Sequence, residues 1–570
     1  MVKNATIAKK FKLAAKLMEL HGENDFKVRS YTKVVDAINA YDKPLYDLEA
    51  KELGAIDGIG KSSVEKILEI SQRGSFSALD DLLQVTPKGV IEMMGLPGFG
   101  PKKVYVIWKE GGAESLEDVR QLCLDGKIAG LKGFGDKSQD SLFKAVNFLL
   151  QHRGYFRYAT IEPIFQELIE AIKECTECTH INETGDLRRR MEVINLVEIL
   201  VGTDDFEATR EKINGIEMIE EVYRLSGPFT WRGVHKESGA DVRIFLCKTH
   251  DFSKELIKTT GSAQHLNINV STGKSLAEVL RSVKIDSEES AYQSMNLPFI
   301  APELREGMFE MQAAENGKLP ILIEMSDLKG VLHNHSTYSD GKHSLREMAE
   351  HCRDLGYEYL GITDHSQTAV YANGLQEFKV REQQEEIRKL NEELAPFIIF
   401  SGIESDILTD GSLDYSEEIL ASFDFIVASV HSAQSMDINK ATNRLLTAIA
   451  NPYTTILGHM TGRLLLEREG YPVDHKAVID ACIEQNVVIE INASPYRLDM
   501  DWRWVHYGIE NGLMLSINPD AHKKEGYQDM YYGLLAGRKG GLTKEHTLNC
   551  LNATDLDAWF KNKKLQLKTT

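Results

Sequence analysis

Seven short apolar runs lie between residues 330 and 522, and six of them close on a side chain that binds cations or moves protons. The runs 330–335, 359–365, 397–404, 425–431, 455–459 and 513–522 finish at His335, His365, Glu404, His431, His459 and His522; the run 487–492 finishes at Asn492. Imidazoles mixed with carboxylates form nitrogen and oxygen sites that suit Zn, Mn or Fe. The donors outnumber what one ion can use, which implies two or three divalent ions. Ions held close together activate a water and stabilise the attacking and leaving oxygens of a phosphoester, so the expected chemistry is phosphoester hydrolysis.

A second set of residues recurs near the amino terminus. The segments 56–61, 96–101 and 131–136 each read as an apolar residue, a spacer, glycine, an apolar residue and glycine, followed by Lys, Pro or Asp and an amphipathic stretch. No strand-like run precedes them, which excludes a dinucleotide-binding turn. The pattern suits helix-hairpin-helix units, in which Gly58, Gly60, Gly98, Gly100, Gly133 and Gly135 let the backbone approach a DNA phosphate and the first N–H groups of the next helix hold it.

These residues need elements to position them. From 330 onward the apolar runs alternate with helical stretches, the pattern of a parallel α/β barrel or sheet. In a barrel the carboxyl ends of all strands converge on one face, so residues a hundred or more positions apart meet in one pocket. Residues 193–201 and 241–247 read as strands in a mixed α and β region. Pro298 and Pro302 mark a connector before a new domain near 329.

The chain has 570 residues and a mass of 64.1 kDa, with 42% hydrophobic and 27% charged residues, which is the make-up of several folded domains. No run approaches the ~18 uninterrupted apolar residues of a membrane span, and lysines interrupt the first twenty residues where a secretion signal would be continuously apolar. The seven cysteines are scattered, unlike a disulfide framework. The expectation is a cytoplasmic protein without a membrane partner. The net charge of −20 is unevenly spread: residues 1–150 carry 22 Lys and Arg against 21 Asp and Glu, the remainder 44 against 65. A polyanion therefore fits the amino-terminal quarter best.

The metal-type residues carry a resemblance. His333 and His335 with Asp340, Asp364-His365, Glu404, His431, Gly458-His459 and Asp520-Ala-His522 resemble the polymerase and histidinol phosphatase (PHP) domain over about residues 329–570. The resemblance implies a distorted seven-stranded barrel. It also implies the ligand set His333, His335, Asp340, His365, Glu404, His431, His459, Asp520 and His522, with a suitable side chain at every position.

The remainder resembles a bacterial family X DNA polymerase, on the glycine turns, Gly185-Asp-Leu-Arg-Arg189, Asp241-Val-Arg243, Thr260-Gly-Ser262 and Pro302-Glu-Leu-Arg-Glu306. The implied architecture is multidomain: a helix-hairpin-helix, lyase-like domain over 1–80, a fingers-like one over 81–150, an α+β nucleotidyltransferase-like palm over 151–255, a thumb-like segment and linker over 256–328, and the barrel over 329–570. The chain departs from the family in the palm. Where three aspartates would hold two metals stand Leu196, Glu198 and Asp241, and Asp186 replaces the serine of the triphosphate-binding Gly-Ser motif.

The resulting expectation is a DNA-repair protein, monomeric, that grips gapped DNA or 3′ ends and hydrolyses phosphoesters in the barrel as a 3′–5′ exonuclease, with polymerase activity lost. Two alternatives stand beside it. One is a gap-filling polymerase that survives on Glu198 and Asp241; the other is a DNA scaffold or a small-molecule phosphatase with a vestigial amino-terminal half.

Overall fold

The computed structural model describes residues 4–566 apart from 42, 97 and 272, so Pro97 of the second glycine turn lies outside the described residues. The chain divides into two compact units, residues 1–153 with 466–468 and residues 154–465 with 469–570. Among the described residues no helix is long and apolar enough to cross a membrane.

The first unit is helical because its apolar residues recur at helical spacing and its turns supply the stops. In α1 (Lys61–Arg73) Val64, Ile67 and Ile70 are buried, and Gly74 ends the helix at φ 77°. Helices α2 (Pro101–Lys109) and α3 (Asp136–Gln151) follow the other two glycine turns in the same way, burying Val104, Ile107 and Trp108, and Leu142 and Val146.

In the second unit a five-stranded sheet comes first, with strands β1 (His180–Glu183), β2 (Leu196–Gly202), β3 (Ile219–Glu221), β4 (Thr230–His235) and β5 (Asp241–Cys247) in the order β1-β2-β5-β4-β3. Only β2 and β5 run parallel, in a register that sets Leu196 beside Asp241 and Glu198 beside Arg243.

The region after 329 holds seven parallel strands, each hydrogen-bonded to the next: β6 (Gly330–Val331), β7 (Tyr359–Ile362), β8 (Ile398–Asp406), β9 (Phe425–Ser429), β10 (Ile456–Leu457), β11 (Val488–Asn492) and β12 (Leu515–Asn518). Their residues are buried almost without exception, as strands covered on both faces must be. The sheet curls until its first and last strands nearly meet. The seam is bridged at Asn334 and Ala521, and by Asn549, whose amide receives from Ile517 N (3.2 Å) and donates to Ile517 O (2.5 Å) and Gly330 O (3.4 Å).

One mouth of this barrel is plugged. Phe560, on the helix Ala553–Gln566, stacks on Phe425 with ring centroids 5.1 Å apart, and Tyr359, Phe400, Val427 and Val488 complete that apolar layer. A Cβ at Gly402 would lie 2.7 Å from the Phe425 ring, so the layer requires glycine there. The other mouth is at the carboxyl ends of the strands.

Candidate metal centre

Each strand of the barrel delivers its polar residues at the end of its buried run or within four positions after it. His333 and His335 follow β6, His365 follows β7, Glu404 and Asp406 lie at the end of β8, and His431, His459 and Asp520 with His522 follow β9, β10 and β12. Glu404 is the hub. Its Oε1 lies 3.1 Å from His431 Nε2, 3.1 Å from His459 Nε2 and 3.2 Å from His333 Nε2, and its Oε2 lies 2.9 Å from His365 Nδ1. Asp520 Oδ1 stands 3.1 Å from His335 Nε2, and Asp340 Oδ1 stands 3.4 Å from His522 Nε2.

All nine residues expected from the sequence therefore meet. They form four overlapping groups of three or four whose candidate ligand atoms lie within 4.8 Å of one another: His335, Asp340, His365 and His522; His333, Glu404 and His459; His333, His335 and Asp520; His365, Glu404 and His431. Five buried polar atoms of this cluster, His333 Nε2, His335 Nδ1, His365 Nδ1, Glu404 Oε2 and His459 Nδ1, make no hydrogen bond of acceptable geometry, although some lie close to one another. A buried polar atom without a partner is costly, so the donor set fits cations. His333 (φ 60°) and Asp520 (φ 54°) also hold left-handed backbone conformations that side-chain-bearing residues rarely adopt.

The electrostatics agree with that fit. Burial alone would raise the Glu404 carboxyl, yet His431, His333 and His365 hold it well below the usual carboxylate range. Burial together with His522 and His365 pushes His335 down to about 3, leaving it neutral and able to donate a lone pair. Against burial, Glu404 and Asp406 lift His431 to about 10. Imidazoles and carboxylates here neutralise one another, which divalent ions would do in their place.

A surrounding layer of residues was not assigned a role from sequence. Glu490, on β11, is fully buried; its Oε2 lies 2.5 Å from His333 Nδ1 and accepts from Asn518 Nδ2 at 2.9 Å, and its Oε1 accepts from Asn492 Nδ2 (2.9 Å) and His459 N (3.1 Å). Asp406 holds His431 Nδ1 at 2.6 Å. Asp364 faces away from the cluster and accepts from Ser336 N, Ser336 Oγ, Ser339 Oγ and Gln383 Nε2 at 2.8, 2.7, 2.5 and 2.6 Å, which fixes the loop between His335 and Asp340. Strand periodicity was the available signal: Asp406 is two residues from Glu404 and so shares its face.

The sheet over 180–247 presents a different picture. Leu196, Glu198 and Asp241 are neighbours, as the alignment requires, but their surroundings are closed. Glu198 is bonded by Arg243 Nη1 at 3.1 Å, and its carboxylate fills the space above Gly185, where a Cβ would come within 1.9 Å of Glu198 Oε2. Burial raises the Glu198 carboxyl in spite of Arg243. Arg189 is bonded to Asp186 and, at 2.9 Å, to Glu306; Arg188 clasps Glu288 with two bonds of 2.8 and 2.5 Å. The cations that would receive a triphosphate are already paired.

In the helical unit Gly58, Gly98 and Gly133 take φ values of 86°, 79° and 83°, and Gly60, Gly100 and Gly135 are the N-caps of α1, α2 and α3. A Cβ at Gly60 or Gly100 would meet nothing within 4 Å, so internal packing does not demand glycine there. The first turns of α1 and α2 carry no acid, whereas α3 begins with Asp136. The first two turns are therefore better suited to an anion than the third.

Comparison with known proteins gives these geometries a family. A helix-hairpin-helix domain model matches residues 2–76 and a PHP domain model matches residues 332–494. The chain is 34% identical over 556 residues to the DNA polymerase/3′-5′ exonuclease PolX of Bacillus subtilis (strain 168), covering 95% of this chain and 97% of that protein. A probable phosphatase of Thermoanaerobacter sp. (strain X514) is 26% identical over 253 residues, 42% of this chain and 98% of its own. DNA polymerase lambda of Rattus norvegicus is 30% identical over 135 residues, 23% of each chain. The full-length match, the glycine turns and the carboxylate-centred histidine cluster together place the chain in the bacterial family X DNA polymerases that carry a carboxyl-terminal PHP domain.

Proposed function

We propose that this chain is a DNA-repair nuclease: its helical unit holds gapped DNA or 3′ ends, its PHP centre removes nucleotides in the 3′ to 5′ direction, and its palm does not polymerise. The observation that supports this reading best is the contrast at the two acid sites. Nine candidate ligands, Glu404 among them, converge with buried ring nitrogens unsatisfied, while at the palm one of the three carboxylate positions holds Leu196 and a second, Glu198, is tied to Arg243.

His333, His335, Asp340, His365, Glu404, His431, His459, Asp520 and His522 would hold two or three ions of Mn, Zn or Fe. When bound, such ions supply an activated water and neutralise charge on the phosphoryl oxygens. The chain's own contribution is positioning. Glu490 and Asp406 fix the ring planes of His333 and His431. Arg497, with its Nε 3.8 Å from Asp520 Oδ2, borders the carboxylate cluster and is placed to orient an incoming phosphate.

The test is digestion of 3′- and 5′-labelled gapped DNA with Mn, comparing the wild type with the double variant His333→Ala/His335→Ala and running nucleotides in parallel lanes. Shortening from the 3′ end that disappears in the variant, with no extension by the wild type, is the expected result. Templated extension would return the palm to service and overturn that part of the reading.

A further inference from the structure

The loop that leaves β7 carries an aromatic side chain for which the described contacts give no interior role. Val370 and Tyr371 are 79% and 71% exposed, yet the Tyr371 ring centroid lies only 6.1 Å from that of His365. The loop beneath them is rigidly built. Asp414 accepts from Ser366 Oγ (2.7 Å), Thr368 N (2.7 Å) and Thr368 Oγ1 (2.8 Å); Leu375 N donates to His365 O (2.8 Å); and Ala369, Ala372 and Leu375 are buried. Gly374 packs so tightly that a Cβ there would lie 1.9 Å from Ser366 O. A fixed loop that holds an aromatic ring in solvent, beside the centre, is a preorganised contact surface.

The charge around it indicates what it receives. Tyr371 stands beside His365, whose Nδ1 lies 2.9 Å from Glu404 Oε2, and residues 151–570 carry an excess of acids. An anionic neighbourhood repels phosphate wherever no cation intervenes. Tyr371 itself brings no positive charge to a phosphate but presents an open ring face, so the group that settles on it is flat. In a nucleic acid that is a base face, and a base offers its face only when it is unpaired and unstacked.

Resting on the phosphodiesterase reading above, we infer that the Val370–Tyr371 turn is a stacking platform for the terminal base of the strand being cut. Arg497, on the loop after β11 and thus across the barrel from β7, takes the adjoining phosphate, while Tyr496 beside it is already covered by Arg157, whose Cζ stands 3.9 Å from the ring centroid. Tyr371 is the open one of the two.

The experiment uses the full chain with Mn and a short oligonucleotide bearing 2-aminopurine at its 3′ terminus, the last linkage a phosphorothioate that resists cleavage. Stacking quenches the probe. The wild type and Tyr371→Phe are expected to quench it, Tyr371→Ala to lose the quench with a Kd for the 3′ end weakened roughly 10- to 100-fold, the range that one base–aromatic stack supplies, and a probe placed five nucleotides inward to be indifferent to all three. In parallel, digestion of the same oligonucleotide with an ordinary last linkage is measured for the wild type, and Tyr371→Ala is expected to hold as much Mn as the wild type when counted by atomic emission. Equal quenching by Tyr371→Ala overturns the platform, and so does loss in Tyr371→Phe, which would assign the effect to the hydroxyl. Quenching that depends on Tyr371 without any hydrolysis by the wild type would instead leave the platform standing and remove the nuclease reading.

Discussion

The palm and the barrel both set acidic residues on parallel strands, and they differ in what those acids face. In the palm most charges near the three aligned positions have an internal partner, Glu198 with Arg243, Asp186 and Glu306 with Arg189, Glu288 with Arg188 and Arg305, while Asp241 is exposed. In the barrel the carboxylates face imidazoles that also face one another, and ring nitrogens are left buried without partners. A polar site satisfied from within has nothing left to offer a ligand, and a site left unsatisfied is stable only when something fills it. The two acid sites thus differ in what their carboxylates meet, arginines in the palm and imidazoles in the barrel.

The largest effect should come from the hub. Glu404→Gln removes the negative charge on which four histidines converge, and nuclease activity should fall by on the order of 10³-fold, in line with the loss of one central electrostatic group. The bound metal counted by atomic emission should fall with it. Chelation should reproduce the loss in the wild type, and added Mn should restore the wild type but not the variant. A variant that keeps its full metal content and activity would mean that the cluster is a structural charge network. Next in size is Glu490→Gln, which leaves all nine candidate ligands in place but replaces the acceptor of His333 Nδ1. Metal affinity should weaken about 10- to 100-fold with an unchanged thermal transition once metal is saturating; titration of metal-free protein measures both.

How much of this could be read in advance differs between the same two regions. In the barrel the strand runs and the residues that end them are local signals, and every strand but β8, which continues two residues past its expected end to Asp406, falls within its expected run, because buried parallel strands are continuous in apolar character. The ligand side chains needed only the rule that strand ends converge. Glu490, Asp406 and Asp364 were not assigned because what they do depends on neighbours distant in sequence: Glu490 acts on a histidine 157 residues away. The same holds for Asn549, which closes the barrel seam from a segment without strand character. In the palm the loss of Leu196 was legible from one residue type. The pairing of Arg188 with Glu288 and of Arg189 with Glu306 was not, since it joins segments 100 and 117 residues apart.

A smaller effect tests the helical unit against the barrel. Gly60→Asp and Gly100→Asp place a carboxylate at helix starts that carry no acid, at positions whose φ of −81° and −69° and open surroundings accept any side chain. Stability should be unchanged. Binding of gapped DNA should weaken about three- to tenfold for each, the scale of a charge at a helix terminus, and the dependence of binding on salt should flatten in the double variant as phosphate contacts are lost. Hydrolysis of a small phosphodiester, which needs only the barrel, should not change. The same substitution at Gly135 should matter less, because Asp136 already opposes an anion there.

The smallest expected effect, and the one that most sharpens the comparison, is at Asp241. Of the three palm positions it alone holds an aspartate, it is exposed, and it lies beside Leu196. If the palm is retired, Asp241→Ala should leave nuclease rate, DNA affinity and thermal stability within error of the wild type. Primer extension with Mn should be absent from both. Glu198→Gln is the informative companion, because Glu198 is structural where Asp241 is not: it should keep the nuclease rate but lower the thermal transition, since Arg243 loses its charged partner in a half-buried setting. Extension by the wild type that vanishes in Asp241→Ala would show that two carboxylates suffice, and would mean that internal pairing of the neighbouring arginines does not by itself close a nucleotidyl-transfer site.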